Sequence, residues 1–376
     1  MNYILITDIQ YRKEFDNISI IKRLFPKEHL ILGTVKSRLF CKLSYGRCSI
    51  ERLRTEDGKE SFFNDFKFLL DKYSQDKIIY VPGEEQTTDY VVEYIEKFGQ
   101  GNIVSLLPNY SLYTMFRNKR ALNRYCIENG FPAPKEYNQE DLQDLKCPVL
   151  LKPEIGSGSH GIFRLYKKED YTDEIRVVLN QQHYLIQELL PNGKDVQGGF
   201  YLCYKGKVLG SYTHKRIRTS PDEGGVTVLS KLNDNPQLIR QGMQLLEHVG
   251  WEGLIMLEYI YDDRNNEYKL IEANPRIWGS IMLSEYCGAN LLSNYIRICL
   301  GQDFKVPEIK NEAYIRWLFP MDIINLVKKK GRIKGFWNFR NTCFVNWSYA
   351  RKDRALIFNL MSIFNIHNLK SLIRRI

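Results

Sequence analysis

The chain has 376 residues, 44% hydrophobic, 26% charged and 13% aromatic, which excludes a disordered, collagen-like or coiled-coil protein and suits two or three packed units. The net charge of +10 is uneven: residues 328–376 hold twelve lysines and arginines against one acid, Asp353, so they carry +11 and the other 327 residues −1. That basic end suits phosphates, anionic lipid or an acidic polymer, whereas the body has no comparable bias.

In chain order, 3–7 reads as a buried strand, 61–73 as a helix and 77–81 as a second strand, together a small α/β domain over 1–115. Neither strand is followed by a glycine fingerprint, so no dinucleotide site is expected there. A helix over 119–128, closed by Asn129-Gly130 and followed by Pro132 and Pro134, opens a second domain over 116–306. Strands 149–152 and 162–166 flank a glycine-rich loop, and a helix over 169–180 leads into a strand over 184–188, giving a flap subdomain at about 121–187. Strands 199–204 and 208–212 make a hairpin, a helix spans 236–249, and strands 253–261 and 267–274 make a second hairpin around 262–266. The remainder, 307–376, is a basic helical extension. Its segment 355–366 spaces Leu356, Ile357, Leu360, Met361 and Phe364 as an amphipathic helix, either packed on its own domain or laid on an anionic membrane.

Asp8 interrupts the start of the chain before a signal-peptide core develops, and no apolar run approaches the ~20 residues that span a bilayer. The eight cysteines form no C-x-x-C pair and no zinc spacing, so reduced, mostly buried thiols and a cytoplasmic location are expected.

The chemistry gathers in the second hairpin. Centred on Asn265, it sets Glu258 opposite Glu272, where Cβ atoms lie about 4.5–5.5 Å apart and like charges repel, so a cation belongs between them. Asn274, two residues on, shares that strand face and adds a third oxygen ligand. Oxygen-only ligands select Mg²⁺ or Mn²⁺ over zinc and leave positions for water and phosphates; the alternative is a solvated hairpin face with no metal. Arg276 follows in Glu272-Ala273-Asn274-Pro275-Arg276, able to grip two phosphate oxygens and steady charge on a transferred phosphoryl group. The run Gly156-Ser157-Gly158-Ser159-His160-Gly161 matches G-x-G-x-x-G, but a strand follows it where a Rossmann turn needs a helix. It fits a flap that closes over phosphates with backbone N–H groups, or a plain hairpin tip. Lys152 just before the flap and Lys119 at the head of the domain's first helix are either phosphate ligands or surface lysines.

Together these residues resemble the ATP-grasp superfamily, and within it the carboxylate–amine ligases, including the carbamoyl-phosphate-synthase-like branch. The resemblance covers roughly 118–301 and implies an ATP-grasp fold, α/β in the α+β sense, behind a pre-ATP-grasp α/β domain. It implies that Asn118-Lys119 and Leu151-Lys152-Pro153 touch ATP phosphates, with Lys152 and Arg276 acting on the transferred group. It also implies that Gln187-Glu188-Leu189-Leu190 is the adenine hinge, with Glu188 near the adenine amino group, backbone contact at Leu190, and Asp195 on the ribose. Glu258, Glu272 and Asn274 would then hold Mg²⁺ or Mn²⁺, with two ions bound. In the flap, Ser157, Ser159 and His160 stand where the family has further glycines.

The implied reaction forms an acyl phosphate from a carboxylate and ATP, and an amine then displaces phosphate. Lys215, Arg216, Arg218 and Ser280 are candidate contacts for the acceptor, a small-molecule carboxylate. No nucleic acid is expected, because no recognised fold accompanies the basic charge. The rival is a nucleotide-binding protein with little or no catalysis, tethered through its basic end to an anionic polymer or to the inner face of a membrane.

Overall fold

The computed structural model describes residues 1–156, 161–191, 195–220 and 226–363. The first domain is a parallel sheet of β1 (Asn2–Thr7), β2 (His29–Gly33), β3 (Ser49–Glu51), β4 (Lys77–Val81) and β5 (Ile103–Val104), in the order β3-β2-β1-β4-β5. Parallel strands are covered on both faces and so read as continuous apolar runs. Ile4, Ile6, Ile79 and Val81 face α1 (Arg12–Leu24) in one core. Leu5, Ile31, Ile78 and Tyr80 share a second core with α3 (Lys59–Lys72) and α4 (Glu85–Phe98), while α2 (Arg38–Tyr45) adds Cys41 and Tyr45 to the first. The sequence marks only β1, α3 and β4 of this set; β3 and β5, of three and two residues, are too short to show a period.

After α5 (Tyr110–Arg117), α6 (Lys119–Glu128) is capped by Asn118, whose Oδ1 accepts from the amides of Arg120 and Ala121. A four-stranded sheet follows, β6 (Glu136–Tyr137), β7 (Val149–Pro153), β8 (Phe163–Leu165) and β9 (Tyr184–Glu188), in the order β6-β9-β7-β8. With α7 (Asp173–Gln181) it encloses its own small core around Leu142, Val149, Leu151, Leu165 and Ile186.

The largest sheet has seven strands. Its middle is β10 (Val196–Tyr204), β11 (Lys207–Ser220) and β12 (Val226–Asn233), bordered by β13 (Gly253–Asp262) and β14 (Glu267–Asn274) on one side and by β15 (Tyr314–Arg316) and β16 (Thr342–Phe344) on the other. One face packs on α8 (Pro236–His248), where Gly242 lets the Tyr201 ring approach; a Cβ there would sit 2.1 Å from the Tyr201 oxygen. The other face stacks Phe200 on Tyr212 at 4.6 Å and tilts it against Trp278 at 4.7 Å, and continues through α9 (Ile281–Cys287) and α10 (Leu291–Cys299) into the first domain's core. The Tyr295 hydroxyl donates to the Tyr80 carbonyl across this junction at 2.7 Å. The two units therefore share one continuous apolar interior.

The chain beyond residue 306 is built into this body. It supplies β15, then α11 (Ile323–Lys328) and β16, and ends its described part with α12 (Lys352–Ile363), whose Phe358 stacks on Phe15 of α1 at 4.2 Å. Of the helix read from sequence as amphipathic, Ala355 and Phe358 are buried, whereas Leu356 and Leu360 stay 52% and 46% exposed. Phe364 lies outside the described residues. Among the described residues no helix is long and apolar enough to cross a membrane.

Asp322, fully buried, accepts from Arg316 Nε at 2.6 Å and from Arg218 Nη2 at 2.8 Å, tying β11 to the C-terminal strands. Removing one partner strands buried charge, so Asp322→Ala is expected to cost about 3–5 kcal/mol in urea unfolding; a loss under about 1 kcal/mol would place those guanidiniums in water.

Asp16 joins α1 to the C-terminal segment by accepting from the Asn346 amide at 2.7 Å. Burial, opposed by that amide and the Arg12 charge, pushes its pKa up to about 8. The folded chain thus keeps a proton that the unfolded chain releases near 3.8, so stability falls as pH rises between these values. Asp16→Asn should reduce that slope by up to about 1.4 kcal/mol per pH unit, and parallel curves for the two proteins would contradict the assignment.

Candidate active site

Strands β13 and β14 pair Met256 with Asn274, Leu257 with Ala273 and Glu258 with Glu272. Past this point the register shifts, and Tyr259 pairs with Leu270. Ile271 is the extra residue of a β-bulge, so the hairpin is not centred on Asn265 even though the two glutamates face each other. A bulge leaves one residue outside the ladder, and the Ile271 carbonyl accepts from Lys152 Nζ at 2.6 Å. The bulge thus ties the four-stranded sheet to the carboxylate pair.

Lys119, at the first position of α6, donates to the Gly156 carbonyl at 2.6 Å and lies 3.8 Å from Glu272 Oε1. The start of α6 is fixed to the strand before the flap: the Lys119 amide donates to the Glu154 carbonyl, and Asn118 Nδ2 donates to Glu154 Oε2, both at 2.9 Å. Burial lowers the Lys152 pKa to about 8, a shift resisted by Glu272 and reinforced by the Lys119 charge. Glu272 is pushed upward, first by burial and then by the charge of Glu258, with Lys119 and Lys152 opposing. Arg216 Nη2 donates to Glu258 Oε1 at 3.2 Å. Asn274 is buried, and its Oδ1 accepts from Arg276 Nη2 at 3.1 Å.

Seven expected site residues therefore lie together: Lys119, Lys152, Arg216, Glu258, Glu272, Asn274 and Arg276. Among the described residues no cluster of three or more His, Cys, Asp or Glu is placed to hold a metal by itself. The donor set is two carboxylates and one amide oxygen, which suits a hard divalent cation and leaves coordination positions open.

Other candidates lie apart. Arg218 is committed to Asp322, and the Ser280 hydroxyl meets His214 Nε2 at 2.8 Å. The Glu188 carboxylate accepts from Lys269 Nζ and Arg264 Nη2, each at 2.7 Å, and from the Lys135 amide at 3.0 Å. Burial raises its pKa, but these donors outweigh that and hold it below the usual range. Its side chain thus fastens β9 to the hairpin. Gln187 beside it is buried with Oε1 unpartnered, and Leu190 is buried too.

Lys269 and Asp262, which complete the Glu188 cluster, carry no signal in sequence beyond a charged residue inside an otherwise half-buried strand. Of the flap, Gly156 and Gly161 have positive φ, 138° and 69°, as a tight hairpin mouth requires. Ser157, Gly158, Ser159 and His160 lie outside the described residues. An open cavity of about 570 Å³ gathers Asp195, Gln197, Lys215 and Arg216 with Asn233 and Asn235. It lies beside the carboxylate pair, with Arg216 on the boundary between the two.

Residues 202–319 match the family model described as "ATP-grasp in the biosynthetic pathway with Ter operon". The C-terminal section of the carbamoyl phosphate synthase large chain of Methanopyrus kandleri is 25% identical over 195 residues, 49% of this chain and 36% of that protein. The chain thus spans about a third of that relative's length. Among solved structures, the biotin carboxylase domain of Hydrogenobacter thermophilus 2-oxoglutarate carboxylase, in complex with MgADP, ADP and bicarbonate, superposes with a TM-score of 0.64. It is 13% identical, and the match covers 83% of this chain and 73% of that one. N5-carboxyaminoimidazole ribonucleotide synthetase of Thermus thermophilus gives a TM-score of 0.59 at 13% identity, covering 84% of this chain and 82% of that one. At such identities the structural likeness establishes an ATP-grasp fold, and the sequence matches show that part of the chain is similar to ATP-grasp proteins of the carboxylate–amine ligase type.

Proposed function

We propose that the protein is an ATP-dependent ligase that activates a small-molecule carboxylate as an acyl phosphate and joins it to an amine. The observation that carries this reading is the register of Glu258 against Glu272, with Lys119 and Lys152 converging on the same point from two other elements. We also place it in the cytoplasm, where ATP is available and eight unpaired cysteines stay reduced.

ATP would lie between the four-stranded sheet and the β13–β14 hairpin, its base against the hinge at Gln187–Leu190. Gln187 Oε1 and the hinge backbone offer acceptors and donors for the adenine edge, and Leu190 gives it an apolar wall. Lys119 and Lys152 would neutralise phosphate oxygens, and the flap would close over them and exclude water. Glu258, Glu272 and Asn274 would hold Mg²⁺, which supplies Lewis-acid neutralisation of the phosphate oxygens. The substrate carboxylate oxygen attacks the γ-phosphorus, the bond to the β-phosphate oxygen breaks, and ADP leaves. Arg276 stabilises charge on the moving phosphoryl group. The amine then attacks the acyl carbon, phosphate departs with its electron pair, and the nitrogen loses a proton. Arg216 and Lys215, at the boundary with the neighbouring cavity, are placed to hold the anionic acceptor.

Purified protein should release ADP and phosphate from Mg-ATP when given the right pair in a screen of amino acids, amino sugars and sugar acids. Glu272→Ala should lower that turnover by roughly 10²–10³-fold or more with an unchanged circular dichroism spectrum; unchanged turnover would remove the metal assignment. Lys152→Met should raise the KM for ATP at least ~10-fold, as expected for one lost charge-assisted hydrogen bond, and leave the acceptor KM as it was. An equal rise in both would make Lys152 a structural residue.

A further inference from the structure

The stretch that runs from α11 through the loop after it presents four large apolar side chains to solvent: Ile323 at 39%, Val327 at 71%, Trp337 at 75% and Phe339 at 40% exposure. Ile323 and Val327 are one helical turn apart and share a face. Interleaved with them are Lys328, Lys329, Lys330, Arg332, Lys334 and Arg340, and no acidic residue occurs between 323 and 340. The loop is held in place by its own hydrogen bonds and by Phe336, which is buried under the Arg316 guanidinium at 4.1 Å and accepts at its carbonyl from Arg316 Nη1 at 2.6 Å. Trp337, next in the chain, is thus displayed outward from a pinned base.

We propose that this surface, 323–340, docks the protein on an anionic lipid bilayer. A soluble polyanion would be served by the cations alone and gives no reason to expose a tryptophan and three other large apolar groups. Tryptophan favours the interface between lipid and water, and lysines beside it gain from the negative surface potential. A second copy of the chain does not fit this patch, because two faces of the same positive sign would repel. The surface differs from α12, whose Phe358 is spent on α1. It borders the active site: Asp322, just before α11, holds Arg218, and Asn325 Nδ2 donates to the Thr219 carbonyl at 3.4 Å, two and three residues along β11 from Arg216. Docking would therefore bring the acceptor side of the cleft close to the membrane, within reach of a carboxylate or amine carried by a lipid. This inference does not depend on the ligase reading, since its readout is binding.

The test is sedimentation of the full chain with phosphatidylcholine vesicles, with and without phosphatidylglycerol, combined with tryptophan emission. The chain has five tryptophans, of which Trp251 and Trp278 are buried and Trp337 is three-quarters exposed. Binding to the anionic vesicles at low salt, reversed by high salt and accompanied by a blue shift, is expected. Val327→Ser with Trp337→Ser should abolish the shift and most of the binding. Lys330→Ala, Arg332→Ala and Lys334→Ala together should weaken binding roughly 100-fold. Neither variant touches Phe336, Arg316 or Asp322, which anchor this stretch, and equal melting temperatures would verify the fold of both variants. Absence of sedimentation at low salt, or sedimentation that neither variant weakens, would overturn the proposal. So would retention on a soluble polyanion column, unaffected by Trp337→Ser, without vesicle binding.

Discussion

Two carboxylates face each other across an antiparallel pair, and the rest of the site answers that unfavourable contact. Glu258 and Glu272 repel, and burial denies Glu272 the water that would soften the repulsion. Four cations approach from different directions: Lys119 from the start of a helix, Lys152 from the four-stranded sheet, Arg216 from β11 and Arg276 from the end of the hairpin strand. Arg216 pairs with the Glu258 carboxylate itself, whereas Lys119, Lys152 and Arg276 are fastened outside the pair, to the Gly156 carbonyl, the Ile271 carbonyl and the Asn274 amide respectively. They are thus held at the edge of the pair and do not collapse into its centre. Under the proposed function, such a frame would leave room for a divalent cation and a polyphosphate, the form that preorganisation takes in phosphoryl transfer.

The position of that gap follows from how the sheets are joined. The seven-stranded sheet shares a continuous apolar interior with the first domain, so the hairpin has a rigid back. The four-stranded sheet instead has a separate small core and meets the hairpin largely through polar contacts, Lys152 on Ile271 and Glu188 on Lys269 and Arg264. A unit attached by ion pairs and hydrogen bonds can swing with little loss of buried apolar area, whereas the unit behind the carboxylates cannot. Under the proposed function, this division of packing suits a cleft that admits a nucleotide and then closes over it.

Much of the second hairpin was legible in the sequence, because strand alternation and a short polar turn are local properties and the spacing of Glu258 and Glu272 follows from them. The bulge at Ile271 was not, since an unpaired residue has no pattern until the partner strand is known. The same reason hides β15 and β16: their pairing joins segments far apart in the chain, and at three residues each they have no period of their own to show. Arg218 illustrates the limit for single charges. Together with Lys215 and Arg216 it looks like part of one acceptor cluster, yet only the fold brings Asp322 against it and turns it into an internal strut. Glu188 is a similar case, with its hinge position readable and the lysine and arginine that occupy its carboxylate supplied by a different strand and turn.

The most direct test of this account is the melting temperature of the parent chain and of Glu272→Gln, each alone and with Mg-ATP. Removing one of two repelling, half-buried charges should leave the ligand-free variant as stable as the parent or more so, while the stabilisation conferred by Mg-ATP, large in the parent, should shrink sharply. A variant that melts lower without ligand and gains as much as the parent with it would show that the facing carboxylates are not held for a cation.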